Sequence, residues 1–255
     1  MSGLLLGLVG GAVSGLATTL GAVPVLLKSG KAATFLKNIN MDFVIGLMLS
    51  AAAFSLILPA YQKGLFGVTG VARGYEFLII SAAVGFGTLF ISVVGKYLGY
   101  LLRNNARAYD HKKATLFIIA MMVHNFPEGL ASGATMTMQD SQGYSLLSAI
   151  AVQNVPEGLT TALSFIGLGL NPVAAFAGNF LTALVEVFGG LLGGYLSTRI
   201  EGVLPFLMAF AGGAMMNVVI VELLDRLKSE SYHLLTRPGF IAGMALVIIL
   251  NNINL

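Results

Sequence analysis

Along this chain apolar residues run in blocks of roughly 20, separated by short breaks of glycine, proline, asparagine or a few charges. A helix rises about 1.5 Å per residue, so about 20 apolar residues cross the roughly 30 Å hydrocarbon layer of a bilayer. Strict apolar–polar alternation of the kind that builds a membrane barrel is absent. The pattern predicts an all-α membrane protein, one polytopic domain over 1–255, with eight transmembrane helices near 4–27, 42–61, 75–102, 114–138, 144–168, 172–197, 204–224 and 239–251, the last being the shortest. The first block opens without a basic stretch and stays apolar for about 25 residues, so it is read as a span and not as a cleaved leader.

Composition narrows the class. The chain is 56% hydrophobic and 10% charged, with a mean hydropathy of +0.87, against about 25% charged residues in a soluble domain. It has no cysteine, which removes disulfides, thiolate ligands and thiol nucleophiles together. Alternating the loops places Lys28, Lys31, Lys37, Arg103, Arg107, Lys112, Lys113, Arg226, Lys228 and Arg237 on one side, and Lys63, Arg73 and Arg199 on the other. Lys96 stays inside the third span. Ten against three predicts a multi-pass protein of the cell membrane with basic loops in the cytoplasm and both termini outside. The same scatter, without a continuous basic patch, gives no reason to expect nucleic acid as a partner despite a pI near 9.2. The partner implied at this point is the lipid bilayer. Glycine-rich helix faces, such as Gly7, Gly10, Gly11 and Gly15 or Gly189, Gly190, Gly193 and Gly194, let helices pack closely and permit a homodimer without requiring one.

Two hexapeptides interrupt the apolar pattern in the same way: His124-Asn125-Phe126-Pro127-Glu128-Gly129 and Gln153-Asn154-Val155-Pro156-Glu157-Gly158. Each sets a carboxylate beside a proline in lipid-embedded helix. An acid there is costly and faces a polar interior, and proline removes a helical donor, freeing the carbonyls of Val123 and Val152. His124 with Glu128, and Gln153 with Glu157, are four residues apart and share a helix face; Asn125 and Asn154 lie about 100° round. Two such helices side by side form a central kinked pair offering an imidazole, two carboxylates and three amides. That N/O set suits Zn²⁺, Fe²⁺, Mn²⁺ or Cd²⁺ better than Cu⁺, and the imidazole argues against a plain Mg²⁺ or Ca²⁺ site.

A third acid, Glu186, follows Asn179 and Thr182 on one face of the sixth span. Met48 and Ser55 share a face of the second, where a thioether is one further candidate ligand. Three acids around one divalent ion leave net charge −1, which predicts proton release on metal binding. Glu222 and Asp225 read equally well as a salt-bridged helix end or an exit point, and His111 and His233 as surface loop residues. A proton channel or proton-coupled carrier using the same buried glutamates is the alternative reading. An enzyme is disfavoured: His-Glu-x-x-His is absent, and the spans hold no aspartate away from their ends.

At the two Pro-Glu-Gly motifs the chain resembles the ZIP family of divalent-metal transporters, and the His124 and Gln153 variants of the motif resemble its GufA-like branch. The resemblance covers the whole chain. It implies three helices, a central pair and three inverted helices, a 3+2+3 arrangement of inverted repeats, and transport of zinc and related ions into the cytoplasm as substrate, with no resident cofactor. By motif position it implies metal contacts from His124, Asn125, Glu128, Gln153, Asn154, Glu157 and Glu186, completed by Met48, with Ser55 near the outer entrance. In relatives with two metals an aspartate stands where this chain has Asn154, so one principal site is expected here.

Overall fold

A computed structural model describes residues 2–27, 41–63, 73–104, 110–200, 202–227 and 237–252. His233 and the basic residues Lys28, Lys31, Lys37, Arg107 and Lys228 lie outside the described residues. Among the described residues there are eight continuous helices and no strand. They are α1 (Gly3–Ala22, ending in a 3₁₀ turn Val23–Leu26), α2 (Met41–Ser50, Ala51–Ile57 and Leu58–Lys63 in succession), α3 (Arg73–Asn104), α4 (Asp110–Met136), α5 (Ser141–Gly167), α6 (Pro172–Arg199), α7 (Val203–Leu227) and α8 (Pro238–Asn252). Each falls within a few residues of a predicted span.

Local chemistry explains several ends. Asp140 caps α5 by accepting from the Gly143 amide at 2.7 Å, and Asn171 caps α6 by accepting from Ala174 at 2.9 Å with Pro172 in the first turn. Side-chain oxygens there satisfy amides that a helix start leaves free. Sequence gave no warning of the middle of α2, where Ala51–Ile57 winds as a π-helix. A π segment places one extra residue in the turn, and this one lies against α7, where Ala52, Leu56 and Ile57 crowd Gly212.

The expected eight spans are not equally apolar. By length and composition five helices qualify as crossing a membrane, within α1, α2, α3, α6 and α7. Helix α8 is apolar but has only 15 residues. Helices α4 and α5 have 27 residues each, about 40 Å of helix, and are long enough; they carry the two polar hexapeptides.

Packing divides the helices four and four. Helix α1 lies mainly on α6 and α5, and α4 mainly on α6; in the second group α3 lies on α7 and α8 on α2. The groups meet chiefly where α4 touches α7 and where α5 touches α2 and α8. An apolar cluster fills that junction, with Leu47, Ala51 and Leu56 of α2, Ile150 of α5, Met215 of α7 and Val247 of α8 all buried. Helix α3 is the least covered, exposing Phe77, Phe86, Leu89 and Tyr97. Apolar side chains on that face suit hydrocarbon.

Candidate metal centre

The last residue of each hexapeptide explains how the site closes. A Cβ on Gly129 would lie 2.6 Å from the Glu186 Cα, and one on Gly158 would lie 2.7 Å from the Thr18 carbonyl carbon. Only glycine permits contacts that close. Gly129 therefore lets α4 press on α6 at Glu186, and Gly158 lets α5 press on α1 at Thr18, so the acid-bearing turns meet in the centre of one four-helix group. Both prolines sit inside uninterrupted helices.

Two polar groups result. In the first, His124 Nε2 lies 3.1 Å from Glu157 Oε1 and 3.8 Å from Glu128 Oε1. One ligand atom from each of His124, Glu128 and Glu157 falls within 4.8 Å of the others, and all three residues are buried. Gln153 Nε2 donates to Glu128 Oε1 at 3.2 Å and to Met215 Sδ at 3.8 Å. In the second group Glu186, with no exposed surface, accepts from four donors. Thr18 Oγ1 (2.6 Å) and Asn125 Nδ2 (2.9 Å) reach its Oε1; Asn154 Nδ2 (2.7 Å) and Ser14 Oγ reach its Oε2. Asn154 Nδ2 also donates to Ser14 Oγ at 2.8 Å.

The groups differ in what is left over. Glu128 Oε2, both Glu157 oxygens and His124 Nδ1 are buried without a hydrogen-bond partner, and so are the side-chain oxygens of Asn125, Gln153 and Asn154. Among the described residues no lysine or arginine pairs with these acids, and His124 alone lies within ion-pair distance. Buried carboxylates without compensation are strongly unfavourable. A cation between them would supply what the protein does not.

The other sequence-predicted residues fall around this centre. Met48 lines a cavity of about 370 Å³ whose walls include His124, Glu157, Thr161 and Met121. That cavity runs toward the start of α2 and α4 and the ends of α3, α5 and α7. Asn179 turns away from the acids and donates to the Gly158 carbonyl at 3.0 Å, while the Thr182 hydroxyl returns to its own helix at Asn179 O. Ser55 pairs with Asn251 of α8, Nδ2 to Oγ at 3.0 Å. Asn251 borders a second, more polar cavity of about 400 Å³ at the opposite end, and the apolar junction around Ile150 and Leu56 separates it from the acids. Sequence reasoning missed Ser14 and Thr18. Their signal was a pair of hydroxyls four residues apart on the glycine face of α1.

Residues 96–251 match the family model described as ZIP zinc transporter, a stretch that takes in both hexapeptides and Glu186. The chain belongs to the ZIP family. It is 32% identical over 254 residues to the zinc transporter GufA of Myxococcus xanthus, covering 96% of this chain and 97% of that protein. It is also 32% identical over 252 residues to the zinc transporter ZIPB of Bordetella bronchiseptica, covering 95% and 79% respectively. The zinc transporter ZupT of Clostridium perfringens is 25% identical over 265 residues, with 93% and 92% covered. ZIP membership accounts for a helical membrane protein that carries its acids inside its spans.

Proposed function

We propose that this chain moves Zn²⁺, and with it Fe²⁺, Mn²⁺ and Cd²⁺, across the cell membrane into the cytoplasm, binding the ion between His124, Glu128 and Glu157. The observation that carries this reading is the convergence of those three buried side chains within 4.8 Å. One nitrogen and two carboxylates gathered this closely are the donor types of a zinc site, and they need only draw a little nearer to reach metal–ligand bonds of about 2.0–2.2 Å. The amide oxygens of Asn125, Gln153 and Asn154 are free to complete it, and Met48 stands on the wall of the adjoining cavity. A proton relay would need no such convergence of imidazole, amides and acids.

The direction rests on two supports. The cavity bordered by His124 and Glu157 extends toward the helix ends that carry ten of the basic loop residues, which the charge rule assigns to the cytoplasm. The far side is closed by the apolar junction. On this reading the conformation is open to the inside, and entry from outside requires the two helix groups to shift against each other, with the acids riding in the group α1, α4, α5 and α6. The 3+2+3 inverted arrangement has its own support. Exchanging α1 with α6, α2 with α7, α3 with α8 and α4 with α5 turns the pair α4–α6 into α5–α1 and α3–α7 into α8–α2, leaving the main neighbours unchanged. Every exchange swaps an odd helix for an even one and so reverses its direction, as inverted repeats do.

Zinc uptake into proteoliposomes tests the reading. Uptake that requires both Glu128 and Glu157, with substitution to glutamine reducing it to the protein-free rate, supports it. Undiminished uptake by Glu128→Gln and Glu157→Gln sinks it.

A further inference from the structure

The three amides of the centre share one feature: each has its NH₂ group committed and its oxygen free. Asn125 Nδ2 and Asn154 Nδ2 donate to Glu186 at 2.9 Å and 2.7 Å, and Gln153 Nε2 donates to Glu128 and Met215. The oxygens of all three are buried and accept nothing. An amide turned the other way would point two N–H groups, with partial positive charge, at the cation. Its orientation therefore decides whether it attracts or repels the ion.

We propose that Glu186 is a positioning residue and not a ligand of the transported ion: saturated by Ser14 and Thr18, it takes the NH₂ ends of Asn125 and Asn154 and thereby turns their oxygens to the cation, in a centre that holds one ion per chain. This rests on the metal-transport reading above and assigns the residues that tune it. Glu186 is suited to the task because both its oxygens are occupied, two donors each, from α1, α4 and α5. A direct bond to a metal would have to break at least one of those contacts. A carboxylate acts here because it accepts on both oxygens. Glutamine in its place would present one oxygen and one NH₂, taking away the one acceptor of Asn125 or leaving Asn154 with only the Ser14 hydroxyl. Ser14 and Thr18, four residues apart on α1, hold the carboxylate from a third helix, beyond the two that carry the asparagines.

A double-mutant cycle on zinc affinity, with purified full-length protein, tests this. Glu186→Gln is measured in the natural chain and in a chain carrying Asn125→Ala and Asn154→Ala. Acting only through the asparagines, Glu186→Gln weakens zinc binding about tenfold in the natural chain, the usual scale for residues that orient ligands, and by less than about twofold once the asparagines are gone. An equal weakening in both backgrounds marks a direct ligand and overturns the proposal. Two zinc ions per natural chain would also overturn it. Should Glu186→Gln fail to fold, Ser14→Ala with Thr18→Val leaves the carboxylate in place, and the proposal expects roughly fivefold weaker binding that again vanishes without the asparagines; persistence there contradicts it. Cobalt(II) as a spectroscopic probe separates positioning from mere support: Glu186→Gln must change the visible spectrum of the bound ion as removal of the asparagines does, and an unchanged spectrum counts against the role. Glu128→Gln with natural zinc affinity would bring down the metal reading itself, whereas an additive cycle with Glu128-dependent binding brings down this inference alone.

Discussion

Glu186 and the pair Glu128–Glu157 are the same residue type, similarly buried and close together, yet their surroundings are opposite. Glu186 accepts from two hydroxyls and two amides, so its charge is met by the protein. Glu128 accepts one amide and Glu157 faces the His124 imidazole at ion-pair distance, and three of their four oxygens have no hydrogen-bond partner. On the proposed reading, an intramembrane acid marks an ion's place only where donors are withheld. Where they are supplied, it ties helices together, and Glu186 ties α6 to α1, α4 and α5.

The contrast breaks most readily at the acids that lack donors. Removing both, as Glu128→Ala with Glu157→Ala, deletes two charged contacts at roughly 2 kcal/mol each, about a thousandfold in zinc affinity. Equilibrium dialysis reads that loss, and circular dichroism should show the helices intact. Next in size is the ion's own effect on stability: zinc at a hundredfold excess over its dissociation constant stabilises the fold by about 2.7 kcal/mol. A thermal shift reversed by chelator, and absent in Glu128→Gln, is the expected result. Helix approach at the motif glycine ranks third. Gly129→Ala forces a Cβ onto the Glu186 backbone and should cost about 1–3 kcal/mol, whereas Gly95→Ala, with nothing within 4 Å, should be neutral or gain up to about 1 kcal/mol from helix propensity. Equal melting temperatures for the two variants would contradict the close contact. Smallest is Met48→Leu, nearly equal in volume, with an expected stability change below about 1.5 kcal/mol; a larger loss for Cd²⁺ than for Zn²⁺ uptake would show its thioether at work, since softer ions favour sulfur.

Much of this was legible in the sequence because its signals are local. The hexapeptides announced both acids and the shared face of His124 with Glu128. The apolar blocks placed all eight helices to within a few residues. What could not be read depends on contacts between distant segments. Ser14 and Thr18 sit in a glycine-rich stretch, where hydroxyls in membrane helices commonly bond their own backbone, as Thr19 does to Gly15; only the packing of α1 on α6 turns them toward Glu186. Asn179, Thr182 and Glu186 were expected on one polar stripe, and all three are fully buried. Yet only Glu186 reaches the asparagines, because Asn179 is drawn to the carbonyl of Gly158. The π-helix in α2 lies where Ala52, Leu56 and Ile57 meet Gly212 of α7, a contact with no trace in the pattern of Ala51–Ile57 itself.

An anomalous difference map from crystals soaked in zinc tests the contrast most directly. One peak among His124, Glu128 and Glu157, with none against Glu186, is the predicted result. A peak bonded to Glu186, or none near the two Pro-Glu-Gly turns, would contradict it.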